Sequence, residues 1–116
     1  MAFSEYQAER IRQRLMKANL TDEKKMMGGL IFMVNHKMCV GLDINKKTQQ
    51  DRLMVRVGKA SHDQLIFKNG SREMDFTGRV MRGFLFIDPE GFDLDQDLDF
   101  WIEKALEFNR IETNKI

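Results

Sequence analysis

The sequence predicts an α+β fold, a two-layer sandwich of helices on an antiparallel sheet, in the order helix, three strands, helix, two strands, helix. Three observations lead there. Apolar residues recur at helical spacing near both ends of the chain, five short segments between them have strand length and β-type patterning, and the links between strands read as tight turns. Tight turns join neighbouring antiparallel strands, whereas parallel strands need long crossovers.

The first helix is expected over Ser4 to Asn19. Ser4 with Gln7 forms a capping-box pattern, and Ala8, Ile11, Leu15 and Ala18 make one apolar stripe. Arg10, Arg14 and Lys17 fall on the opposite side and read as a solvated face, with a basic nucleic-acid surface as the alternative. Leu20 to Lys25 reads as a linker. Leu30-Ile31-Phe32-Met33-Val34 is a continuous apolar run bounded by glycines, the pattern of a strand covered on both faces. Asn35-His36-Lys37 is a tight turn, and Met38 to Asp43 returns as the second strand. Ile44 to Asp51 is a polar loop. Arg52 to Val57 alternates, with Leu53, Val55 and Val57 on one face and Arg52, Met54 and Arg56 on the other.

Gly58 ends that strand, and a short helix through Ala60, Leu65, Ile66 and Phe67 closes at Asn69-Gly70. Met74-Asp75-Phe76 and Gly83 to Ile87 form the last hairpin around a turn at Thr77 to Val80. Asp88-Pro89-Glu90-Gly91 fits a type I turn. The final helix should begin with Asp93 as its cap and Gln96 at the third position. Leu94, Leu98, Trp101, Ile102, Ala105 and Phe108 give it a wide apolar stripe, and its early acids and late cations suit the helix dipole.

Length and charge bound the function. The chain has 116 residues, enough for one core, with nine Met, nine Phe and one Trp to fill it, and it shows no internal repeat and no Pro-, Gly- or Ser-rich linker, so a single domain over 1–116 is expected. The 19 Lys and Arg against 18 Asp and Glu leave a formal charge of +1, too little for the whole molecule to be held on nucleic acid or an anionic membrane. No apolar run approaches a membrane span, and the N-terminus lacks the basic-then-apolar pattern of a signal peptide, so a cytoplasmic protein with no membrane partner is expected. A single Cys forms no internal disulfide.

Chemistry is sparsely represented. Cys39, His36 and His62 stand at no zinc-motif spacing, and both histidines read as surface residues. Asp93, Asp95, Asp97 and Asp99 begin like a calcium loop, but its sixth and twelfth positions hold Leu98 and Lys104 where Gly and Glu belong, so helix-end electrostatics explains the acids. Cys39 sits inside a strand as a small hydrophobe, and no Gly-x-Ser-x-Gly elbow or phosphate loop is present. No catalytic, metal or cofactor residue is therefore assigned, and no cofactor is expected. Arg52, Arg56, Arg79 and Arg82 remain as a candidate anion or partner contact, with a solubilising sheet edge or internal pairs to Glu73 and Asp75 as the plainer alternative.

Several ordered strings carry a family resemblance. Lys25-Met26-Met27-Gly28-Gly29-Leu30 with Phe32 and Val34-Asn35, Lys37-Met38, Leu53-Met54-Val55-Arg56-Val57-Gly58, Met74-Asp75-Phe76-Thr77-Gly78-Arg79 with Met81 and Gly83, and Trp101 with Ala105-Leu106 and Phe108 resemble the N-terminal domain of the TfoX (Sxy) family. The resemblance runs over about 4–110, and two positions depart from it: Met27, where the family usually has an aromatic residue, and His36, where the hairpin usually has Gly. It implies a bacterial, secretion-chaperone-like fold and a stand-alone member of a family whose two-domain proteins regulate natural competence beside a cyclic-AMP receptor protein. It supplies no catalytic residue. Three readings follow: a non-enzymatic regulatory or interaction domain with a protein partner or a second copy of itself, a weak nucleic-acid binder with contact that is more plausibly indirect, and a small-anion binder or enzyme using Arg56 and Arg79. The first is preferred, because the resemblance comes with an empty catalytic inventory. A protein partner or self-association is expected because Leu30 to Val34 and Gly83 to Ile87 would present apolar side chains on the second face of the sheet unless something covers them.

Overall fold

The computed structural model describes residues 3–26, 28–76 and 78–115. Helix α1 (Glu5–Leu15) leads into strands β1 (Leu20–Met26), β2 (Gly29–Val34), β3 (Lys37–Ile44) and β4 (Asp51–Arg56). Helix α2 (Lys59–Leu65), strands β5 (Ser71–Phe76) and β6 (Arg79–Ile87), a 3-10 turn at Pro89–Gly91 and helix α3 (Asp95–Thr113) follow. All strand pairs are antiparallel, in the order β1-β2-β3-β4-β6-β5. The predicted class and helix order hold.

The strand count needs one correction. Leu20 to Lys25, expected as a linker, is the edge strand β1, which pairs along β2 from Leu20 opposite Val34 to Met26 opposite Gly29. Its charged run Asp22-Glu23-Lys24-Lys25 lacks strand patterning because an edge strand has little to bury, and charges there discourage pairing with other chains. Helix α1 accordingly ends at Leu15, before the expected Asn19.

The main core lies between the helices and one sheet face. Ala8, Ile11 and Leu15 of α1, Leu65 of α2, and Leu98, Trp101, Ile102 and Ala105 of α3 pack on Phe32, Val40, Leu53, Val55 and Leu85. Trp101 donates its indole N–H to the Gly91 carbonyl at 3.1 Å, so the largest side chain is buried without an orphaned donor. Asn35 and His36 turn between β2 and β3 with φ of 52° and 65°, the left-handed pair of a type I′ hairpin, so His in place of Gly keeps the turn.

Ser4 accepts the Gln7 backbone N–H at 3.3 Å as expected of a cap. Asp93 is not the cap of α3. Leu94 holds that position without a side-chain bond, because the Asp93 N–H is spent on the Pro89 carbonyl and its own carbonyl on Arg10. Nor is the Arg10 and Arg14 face a solvated or nucleic-acid surface. Arg10 is buried and Arg14 reaches Asp99 at 2.6 Å, so both clasp α1 to the start of α3.

Candidate functional site

The three helices occupy one side of the sheet, and no described helix covers the other side. There Ile31, Met54, Met74 and Phe86 form a second apolar cluster, flanked by the half-buried Met33, Met38, Met81 and Phe84. The period of two along β2, β4, β5 and β6 sends these residues away from the helices. The sheet curls around them: Met26 of β1 and Met74 of β5, on opposite edges, border the same cleft of about 730 Å³. Curling explains how Ile31 is only 4% exposed with no helix over it. It also supplies the second cover that the unbroken β2 run implied. Methionine is suited to this position, since its flexible thioether repacks against differently shaped partners.

The charges at this cleft are unevenly satisfied. Arg52 is bound two-pronged by Asp43, at 2.7 and 3.0 Å, and its guanidinium stacks 3.7 Å over the Phe86 ring. Arg72 pairs with Asp88 at 2.8 Å. Lys46 and Lys47, on the β3–β4 loop, are exposed at the rim and make no ion pair among the described residues, and neither does the exposed Asp75 of β5, which also lines the cleft. That loop is ordered by Asn45, whose side-chain oxygen accepts the Lys47 N–H at 2.9 Å.

The four candidate arginines are dispersed, though β4 and β6 are neighbours. Arg52 belongs to the methionine-lined cleft, while Arg56 and Arg82 line a second cleft of about 480 Å³ at the end of β4. Arg79 opens β6 five positions before Phe84, the cross-strand partner of Arg56, which places it roughly 15 Å away along the strand. Glu73 and Asp75 pair with none of them among the described residues. Arg82 instead meets Asp63 at 3.0 Å, an exposed pair of little energetic weight.

His62, expected at the surface, is fully buried. Its Nδ1 accepts the Gly83 backbone N–H at 3.0 Å, so Nε2 carries the ring proton and donates to the Glu73 carboxylate at 3.2 Å. It thus braces α2 against the β6 bulge at Gly83, where φ is +93°. Cys39 is buried in the core, and burial pushes its thiol up to about 12 against the opposing pull of Arg56, which keeps the reactive thiolate out of reach at neutral pH. No three His, Cys, Asp or Glu side chains among the described residues are placed to hold a metal ion. No described helix is long and apolar enough to cross a membrane.

The sequence signals for these clefts were partial. The alternation in β4 put Met54 beside Arg52 and Arg56, but the contributions of Met33, Met38, Met74 and Met81 depend on strand order and curl. Phe108 read as core, yet it is half-buried and faces Arg56.

Known proteins share this fold. A crystal structure of a protein from Pseudomonas syringae, a structural-genomics target, superposes with a TM-score of 0.61 at 15% identity, covering 87% of this chain and 96% of that one. No curated protein matches the chain. The profile of the TfoX N-terminal domain matches residues 13–109, close to the span over which the ordered strings run. On that match, which takes in nearly the whole described sheet and most of α3, the chain belongs to the TfoX N-terminal domain family.

Proposed function

We propose that this domain is a non-enzymatic regulatory module that docks a segment of a partner protein in the concave, methionine-lined face of its sheet. The observation that carries the proposal is that face itself: an apolar cluster built from strands alone, bordered by both sheet edges and left without a helix. Its concavity disfavours a second copy, because two hollow faces do not fill each other. An inserted strand or helix does. Lys46 and Lys47 at the rim favour a segment whose apolar residues are flanked by Asp or Glu. The family's competence regulators act beside a transcription factor, which makes the transcription apparatus the first place to seek that partner.

Reversing the rim charge tests the reading without touching the core. Capture from a bacterial lysate, followed by a synthetic peptide from the captured protein, should give binding that Lys46→Glu with Lys47→Glu weakens about tenfold. Met38→Glu with Met81→Glu should abolish it, while Arg79→Gln leaves it unchanged. A peptide without acidic flanks, or equal binding by all variants, would overturn the proposal. So would sedimentation showing a dimer at micromolar concentration that Met38→Glu with Met81→Glu dissociates, since the occupant would then be a second copy.

A further inference from the structure

The second cleft has a different chemistry. It lies where β4 ends, walled by the Gly58–Ser61 segment, the β6 bulge at Arg82 and Gly83, and the last turns of α3. It shares no lining residue with the methionine-lined cleft. Arg56 stands in it half-buried, its guanidinium carbon 5.4 Å from the ring centres of both Phe84 and Phe108. Two aromatic faces hold the cation in place without consuming its N–H groups. Its hydrogen bond to the Met38 carbonyl is 3.5 Å long, at the limit of such a contact. Every other described arginine except the exposed Arg79 has a carboxylate within ion-pair distance; Arg56 has none among the described residues.

The carboxylates on the wall are already engaged. Glu107 is met by Lys104 at 3.5 Å and Glu112 by Lys115 at 2.6 Å. The Lys115 hydrogen bond, with smaller help from Arg56 and Lys37, holds the Glu112 carboxyl below its ordinary range. Arg82 is met by Asp63 at 3.0 Å, so Arg56 and Lys59 leave the cleft with surplus positive charge. Apart from Ser61, the rest of the lining is apolar, chiefly Val57, Leu65, Phe84, Phe108 and the exposed Ile111. At Gly58, where φ is +86°, an added Cβ would collide with the Phe108 ring, so the absent side chain is what lets that ring sit beside Arg56.

We propose that this cleft binds a small organic acid, a carboxylate attached to an apolar body. The planar guanidinium presents a fork that matches a carboxylate with two parallel N–H···O bonds. The body of the ligand lies against Phe108, Leu65 and Ile111, in a volume typical of small-molecule sites. A bare inorganic anion uses only the charge and a neutral alcohol only the apolar wall.

The experiment is a titration of the whole ¹⁵N-labelled domain, followed by amide NMR, with three probes: 4-phenylbutyrate, 4-phenylbutan-1-ol and inorganic phosphate. Phenylbutyrate should give saturable shifts at Gly58, Gly83 and Phe108, with the alcohol and phosphate each about tenfold weaker or more. Arg56→Gln should weaken phenylbutyrate about tenfold or more, and Arg79→Gln should leave it unchanged. Arg56→Lys keeps the charge and most of the packing, so it serves if the Gln variant does not fold; about threefold weaker binding is expected from the lost fork. Absence of saturable shifts up to about 10 mM would overturn the proposal, 10 mM being weaker than any specific small-molecule site of interest. So would phosphate or the alcohol binding as tightly as the acid, or both Arg56 variants binding as the wild type does.

Discussion

Arg10 carries a permanent charge at a position only 9% exposed, and it is tolerated there because its N–H groups are met from several directions. Gln7 accepts from it at 2.9 Å, the Phe92 and Asp93 carbonyls at 3.1 Å, and Asp95 at 3.0 Å. The Arg10 hydrogen bond, followed by the charge of Arg14, holds the Asp95 carboxyl below the usual carboxylate range. Asp95 is itself exposed, so solvent and salt dilute the effect. A carboxyl with a lowered folded pKa adds stability above its unfolded value, about 3.9, and loses it as the pH falls through the folded one. Urea denaturation from pH 6 to about pH 3 should therefore show a steeper acid loss in the wild type than in Asp95→Asn. Parallel curves would contradict the assignment. Spacing alone placed Arg10 and Arg14 on one helix face, but their partners lie more than eighty positions away, beyond what periodicity can reach.

At the scale of elements, legibility followed apolar pattern. Helix α3 was readable because its stripe through Leu98, Trp101, Ile102 and Ala105 is buried as the spacing requires. Strand β1 was not, because Glu23 answers to Arg12 of α1 at 2.7 Å and the neighbouring lysines are exposed, so its described side chains show no buried period. His62 was misplaced for a related reason: its burial comes from Gly83 and Glu73 on a hairpin folded over α2. The join between α3 and the β2–β3 turn is polar. Asn109 donates to the Val34 carbonyl at 2.9 Å and accepts from Asn35 at 2.8 Å, and Asn35 in turn accepts from Asn19 at 2.8 Å. Asn109→Ala strips a buried carbonyl of its partner and should cost about 1–3 kcal/mol. Asn35→Gly removes the amide while preserving the positive φ. The double variant should lose measurably less than the sum of the singles, by about 0.5 kcal/mol or more in a urea-denaturation cycle. Strict additivity would show that the turn and α3 are independent.

The whole molecule is a sheet with two unlike faces. One is filled by three helices and accounts for folding; the other is lined mainly by methionines and accounts for the proposed docking. The α+β class and the helix order could be read from the sequence, but the concave face could not, because Met26 and Met74 border one cleft only once six strands curl in the order observed. A near-neutral chain suits the proposed docking, which rests on an apolar hollow with lysines on its β3–β4 rim instead of a global field. Oxidative footprinting of the methionines tests the docking face most directly, comparing the purified domain with the same domain in bacterial lysate by mass spectrometry. Met26, Met33, Met38 and Met81 should be protected in the lysate, whereas Met16, 74% exposed on the helical side of the chain, should oxidise equally in both. Equal oxidation of the sheet methionines in the two samples would contradict the claim that a partner occupies this face.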